Sequence, residues 1–133
     1  MAAVTGIHHI NLRACGRDTW EKTVAFYTEV MGFTLYRQWD GRNGRNVMLK
    51  TGNCILEIME EDMKRENGVI DHFALETDDV AALIEKVREY GCVIDKEAKS
   101  VVLHSEPEMP IDFAFFYGLC GEYVEIFKER KED

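Results

Sequence analysis

The chain has 133 residues, 46% of them hydrophobic, and its 25 acidic against 16 basic side chains leave a formal charge of −9. That length suits one domain able to bury a core and leaves no room for two independent cores. A pI near 4.9 excludes nucleic acid and anionic lipid as main partners, since both select clustered basic charge, and the apolar and aromatic content excludes disorder.

Taken in chain order, Ile7 to Arg13 alternates, with Ile10 and Leu12 on one face and His9, Asn11 and Arg13 on the other, the pattern of a half-buried strand. Asp18 and Glu21 have capping-box spacing, and the run after them ends at Gly32, so a helix is expected over 19–31. Strands are expected near 33–40, 45–51 and 54–60, separated by Gly41, the Asn43-Gly44 pair and Gly52-Asn53. The charged stretch 61–68 has no apolar period and reads as a linker. From Val69 to Thr77 the alternation returns, with Phe73 and Leu75 on one face. Asp78 and Asp79 supply a cap and favourable charge to a second helix, with apolar residues at Val80, Leu83, Ile84, Val87 and Tyr90 and a stop at Gly91. Short stretches at Val93 to Asp95 and Val101 to Leu103, a loop carrying Pro107 and Pro110, then Ile111 to Tyr117 and a last strand, Glu122 to Lys128, complete the chain.

The two halves thus share one order: strand, helix, three strands. Their phases agree as well. Laying His9 on His72 lays Leu12 on Leu75, and Ile55-Leu56-Glu57-Ile58 falls on Tyr123-Val124-Glu125-Ile126. Matching order and phase predict an internal repeat, a single domain of 1–133 built from modules at about 5–61 and 69–129. An ordinary α+β domain with coincidental alternation is the alternative.

The cysteines, Cys15, Cys54, Cys92 and Cys120, show no CxxC and no zinc-finger spacing, and they read as reduced thiols. The start lacks a basic n-region and an apolar core of about 7–15 residues, and no run approaches the roughly 18 apolar residues of a membrane span. A cytoplasmic protein without a membrane partner is expected.

Strand periodicity then sorts the polar residues. His9 and His72 fall opposite the apolar face of the first strand in each half; Glu57 and Glu125 do so in the fourth. Two imidazoles and two carboxylates make an N₂O₂ donor set suited to a divalent metal such as Ni, Co, Zn, Mn or Fe, with Ni or Zn favoured, and unlike a closed thiolate zinc site. Each residue has an ordinary alternative: a strand histidine is more often a hydrogen-bonded or surface group, and a strand glutamate more often faces solvent. The same polar position recurring in both halves weighs against those alternatives.

Five segments carry a resemblance to a known family: Gly-Ile-His-His-Ile-Asn-Leu-Arg (6–13), Phe-Tyr-Thr-Glu-Val-Met-Gly-Phe (26–33), Leu-Glu-Ile (56–58), Asp-His-Phe-Ala-Leu-Glu-Thr-Asp-Asp (71–79) and Gly-Glu-Tyr-Val-Glu-Ile-Phe (121–127). Together they resemble the vicinal oxygen chelate superfamily and, within it, the glyoxalase I (lactoylglutathione lyase) branch. The resemblance implies an α+β fold of two βαβββ modules forming a curled mixed sheet around a metal-binding cleft. It implies His9, Glu57, His72 and Glu125 as metal ligands, and Glu125 as the base that forms an enediolate, with Glu57 sharing that catalytic role on the opposite face of the substrate. The implied substrate is a hemithioacetal, a thiol adduct, or another α-oxygenated carbonyl compound, and the implied assembly is a homodimer. Arg13, with Asn11 on the same face, is the candidate substrate-binding pair; a solvated strand-end arginine is the equal alternative.

The chain departs from that branch four residues after Glu57, where Glu61, within the run Glu60-Glu61-Asp62, replaces an asparagine; these acids would repel a carboxylate-bearing thiol. Other metal-dependent members of the superfamily, an epimerase, a dioxygenase or an antibiotic-modifying transferase, and a metal-free small-molecule-binding protein remain as alternatives. Arg42 and Arg45 flank the Asn43-Gly44 turn and read as a solvated hairpin tip, or as groups reaching an anionic substrate. Trp39, Met48, Met59, Phe115, Tyr117, Tyr123 and Phe127 include cleft-lining candidates, although such residues at strand spacing more often belong to the core. His8 reads as structural, and His104 sits in a loop without an evident partner.

Overall fold

The alternation at the start of the chain becomes β1 (His9–Cys15), whose Leu12 and Ala14 are buried while His9 and Asn11 are exposed. A computed structural model describes residues 8–41, 43–63, 72–105 and 107–131. The chain divides into two compact units, Met1–Glu66 and Asn67–Asp133. In the first, β1 is followed by α1 (Arg17–Ala25), β2 (Thr34–Asp40), β3 (Arg45–Lys50) and β4 (Ile55–Glu61), and the sheet runs β1-β4-β3-β2. The second repeats the scheme with β5 (Phe73–Glu76), α2 (Val80–Tyr90), β6 (Val93–Leu103), β7 (Met109–Tyr117) and β8 (Tyr123–Glu129), ordered β5-β8-β7-β6. Each sheet is mixed: β1–β4 and β5–β8 are parallel, and the remaining pairs are antiparallel. The fold is therefore α+β, two βαβββ modules.

Register explains the core. Ile10 pairs with Leu56 and Leu12 with Ile58, while Phe73 pairs with Val124 and Leu75 with Ile126. A side-chain period of two sends these residues to one face of each sheet. Helix α1 packs on β1 and β4, burying Trp20 and Thr23, and the Trp20 Nε1–H donates to the Ile58 carbonyl at 2.9 Å. Helix α2 packs on β6, β7 and β8 through Val80, Ile84 and Val87. Each such side chain, moved wholly out of water, contributes about 1.5–3 kcal/mol. Neither helix is long and apolar enough to cross a membrane.

Helix α2 matches its sequence signals. The Asp79 carboxylate accepts from the Ala82 N–H at 3.0 Å, and Gly91 closes the helix in the left-handed region at φ 107°. Helix α1 does not follow the expected capping box. It begins at Arg17 with Gly16 as N-cap (φ 87°) and no side-chain cap, so Asp18 lies inside the first turn, where it faces the helix dipole favourably and pairs with Lys22 at 3.1 Å. Gly16 takes the cap because its positive φ lets the chain leave β1 and turn at once, with the Gly16 N–H donating to the Glu61 carbonyl at 2.6 Å.

The helix expected through residue 31 is α-helical only to Ala25. Phe26–Val30 form a π-turn, with the Met31 N–H donating to the Phe26 carbonyl at 3.2 Å, and the wider turn brings the consecutive Phe26 and Tyr27 fully inside. The stretches at 93–95 and 101–103 are the two ends of one strand, β6, whose exposed middle carries register shifts. The strand expected over 69–77 is described at Phe73–Glu76; most of the 61–68 linker lies outside the described residues, as does Arg42.

Candidate metal-binding site

The parallel pairing of first and fourth strands sets Asn11 beside Glu57 in unit 1 and Ala74 beside Glu125 in unit 2, on the sheet face away from the helix. One step along that face in each unit stands a histidine. His9 Nε2 lies 3.6 Å from Glu57 Oε1, and His72 Nε2 lies 3.3 Å from Glu125 Oε1. Both glutamate side chains are largely shielded, 11% and 13% exposed, and both imidazoles are more open, at 41% and 33%. Each unit thus pairs one candidate histidine with one candidate glutamate at equivalent positions of the repeat.

Two ligand atoms each about 2.1 Å from one metal lie roughly 3.0 Å apart at an octahedral edge and roughly 3.4 Å apart in a tetrahedron. The spacings of the two pairs, 3.6 and 3.3 Å, are those of ion pairs and lie near that range, and the donor chemistry of each pair suits a divalent ion. Among the described residues no group of three or more His, Cys, Asp or Glu stands close enough together to hold a metal ion.

The surroundings of the two pairs differ. In unit 1 the Asn11 amide N–H donates to Glu57 Oε1 at 2.8 Å, Arg13 Nε donates to Asn11 Oδ1 at 2.7 Å, and an Arg13 Nη1–H donates to the carboxylate of the buried Glu61. Arg13 and Asn11, expected to meet substrate, therefore lie in a hydrogen-bonded line that ends on Glu57. His8 sets its Nδ1 3.0 Å from His9 Nδ1, and His9 Nε2 faces Glu57.

In unit 2 the pair sits against aromatic rings. His72 meets the edges of Phe115 and Tyr123, with ring centroids 5.2 and 6.1 Å away. Tyr123 stacks on Phe115 and on Tyr117, each at 4.8 Å, and its hydroxyl pairs with Asp95 at 2.5 Å.

The remaining candidates lie elsewhere in the network. Glu60 accepts from the Arg45 backbone N–H at 2.9 Å and from Arg17 Nε at 2.8 Å, and these contacts, the backbone one foremost, hold its carboxyl below the ordinary 4.5. Arg45 also lies 3.6 Å from Asp40 and over the Trp20 ring. His104 has a partner after all, with its Nδ1 3.3 Å from Glu108. Met48 pairs with Glu57 in the ladder, and Trp39 stands on the outermost strand of its sheet, 38% exposed. Sequence reasoning missed Glu61 as the partner of Arg13. Its one signal was its place four residues after Glu57, on the same face.

Residues 6–105 match the model of the Glyoxalase/Bleomycin resistance protein/Dioxygenase superfamily. The chain belongs to that superfamily. No curated protein gives a significant match to its sequence. Among solved structures it is similar to the trypanothione-dependent glyoxalase I of Leishmania major, with TM-score 0.71 and 23% identity over 94% of this chain and 87% of that one. It is also similar to FosX, a fosfomycin resistance protein of Listeria monocytogenes solved with Mn(II) and sulfate, with TM-score 0.70 and 17% identity over 94% and 93% of the two chains. TnmS3, an antibiotic binding protein from Streptomyces sp. CB03234, gives TM-score 0.71 and 20% identity over 98% and 100%. Identities this low establish the shared fold.

Proposed function

We propose that the protein is a divalent-metal-dependent lyase or isomerase of glyoxalase type, acting on a hemithioacetal or another α-oxygenated carbonyl compound. The observation that carries this reading is the pair of His–Glu contacts at equivalent positions, His9–Glu57 at 3.6 Å and His72–Glu125 at 3.3 Å. The reading takes His9, Glu57, His72 and Glu125 as the metal ligands, an N₂O₂ donor set. When bound, the metal supplies Lewis-acid stabilisation of negative charge developing on substrate oxygens. Glu125 takes the proton from the carbon beside the carbonyl, a role for which a positioned carboxylate contributes roughly 10²–10⁴-fold. The aromatic rings beside His72 shield that carboxylate from bulk water, which strengthens its interaction with a nearby charge.

Protein purified without chelator is expected to carry close to one divalent metal per chain, and His72→Ala and Glu125→Ala to lose it; full occupancy in both variants overturns the ligand assignment. With Ni²⁺ or Co²⁺ restored, turnover of methylglyoxal with a panel of thiols should depend on Glu125. No turnover across thiols and related 2-oxo compounds would remove the glyoxalase label and leave another isomerase of the superfamily.

The assembly belongs to the same proposal: a cytoplasmic homodimer. Sizing tests the dimer. Mixing His9→Ala with Glu125→Ala distinguishes a site shared between chains, which recovers activity, from one held within a chain, which does not.

A second reading, a binding protein for a planar or apolar small molecule, is favoured by the stacked Phe115, Tyr117 and Tyr123. Metal analysis separates the two, since binding of that kind has no use for the repeated His–Glu pair.

A further inference from the structure

The hydrogen-bonded line in unit 1 has a fixed polarity. A guanidinium offers donors only, and an amide accepts only at its oxygen. Arg13 Nε therefore occupies Asn11 Oδ1, which turns the Asn11 NH₂ toward Glu57, where it donates to Oε1 at 2.8 Å. Arg13 is itself tied down by Glu61, whose side chain is 7% exposed, so the line is anchored in the protein at its far end. A carboxylate has about four acceptor positions, and one bond from Asn11 restrains Glu57 while leaving the others for a metal. In unit 2 the residue paired with Glu125 is Ala74, which has no side-chain donor.

We infer that Asn11 is a positioning residue that holds the Glu57 carboxylate in its metal-ligating pose, with Arg13 and Glu61 fixing the orientation of the Asn11 amide. The inference rests on the reading of Glu57 as a metal ligand. It makes the two carboxylates unequal: Glu57 is held by its neighbour strand, and Glu125 has no counterpart of that restraint on β5.

Titration of the full chain with Co²⁺, read by competition against a chelating indicator and by the visible absorption of the bound ion, tests it. Asn11→Ala is expected to weaken Co²⁺ binding about 10–100-fold, the usual cost of losing a group that orients a metal ligand, and to shift the absorption bands. Arg13→Met is expected to give a smaller loss and a shift in the same direction. The double variant should bind no more weakly than Asn11→Ala alone, because Arg13 acts through Asn11.

Wild-type affinity and spectrum in Asn11→Ala overturn the inference and leave the ligand assignment standing. Additive losses in the double variant overturn the role given to Arg13. A wild-type protein that binds no Co²⁺ overturns the ligand assignment, and the inference with it. If Asn11→Ala does not fold, Arg13→Met, at a side chain 34% exposed, takes its place, and unchanged binding and absorption there overturn the inference.

Discussion

The two units share a fold and a His–Glu pair, but they surround that pair with different materials. In unit 1 the strand face that carries His9 and Glu57 is polar, with Asn11, Arg13 and Glu61 bonded in series. In unit 2 the same face around His72 and Glu125 is aromatic, and Phe115 occupies the ladder position beside Glu125 that Met48 occupies beside Glu57. The difference teaches that the repeat keeps the His–Glu pair and lets its surroundings diverge. The Glu57 carboxylate accepts from Asn11 at 2.8 Å, and the Glu125 carboxylate lies beside Phe115 in the ladder.

Exchanging the carboxylates one at a time breaks this comparison most directly. Glu125→Gln should lower kcat by about 10²–10⁴-fold in metal-loaded protein, whereas Glu57→Gln should act mainly on metal retention; metal content and kcat measured together distinguish them. Equal effects of both variants on both quantities would erase the proposed division of labour.

The cores should respond alike. Ile58 and Ile126 occupy equivalent helix-facing positions, each 0% exposed, so Ile58→Ala and Ile126→Ala should each cost about 2–5 kcal/mol in urea denaturation. A marked inequality would show that one unit relaxes around a cavity better than the other.

The thiols sharpen the contrast at lower cost. Cys15 at the end of β1 is exposed, while burial, with a further contribution from Glu122, pushes the Cys92 thiol up to about 11. Near pH 8 a thiol reagent should label Cys15 well before Cys92. Because the folded value is raised, Cys92 favours the folded state below its unfolded value near 9.0, and that contribution is lost as pH rises through about 11. Cys92→Ala should flatten the alkaline limb of the stability curve.

The smallest effect is expected at Glu60. Its carboxyl is held below the ordinary 4.5 by Arg45 and Arg17, so its contribution is present above 4.5 and fades as pH falls through the lowered value. Melting temperatures of wild type and Glu60→Gln should differ slightly at neutral pH and converge in acid.

What the sequence disclosed depended on burial. Strands with one helix-covered apolar face, β1, β4 and β8, write their period into the residue order, and the matched phase of the two halves singled out His9, Glu57, His72 and Glu125. Strand β6 was divided in two because its middle, residues 95–100, is exposed throughout and no dry face imposes alternation. The start of α1 was misplaced because Asp18 and Glu21 carry capping-box spacing, while the chain reversal after β1 needed the glycine at position 16. The Asn11–Arg13–Glu61 line was not legible, because its partners on β4 lie 46 and 48 residues away from those on β1. Only the parallel register aligns them. Glu61, expected from its charge to repel a carboxylate-bearing thiol, is the buried counter-charge of Arg13.

That parallel register also bears on the order of assembly. A parallel pair cannot form as a hairpin, and the contacts between β1 and β4 wait on closure of a long intervening loop, which slows folding relative to local contacts. Both His–Glu pairs therefore form only when the fourth strand of their unit docks, whereas β2 with β3 and β6 with β7 zip up as neighbours. Any ion that needs those pairs would bind the completed chain and pull the folding equilibrium toward it. On that account, refolding in the presence of a divalent metal should raise the yield of native protein more than the rate at which the first strands pair.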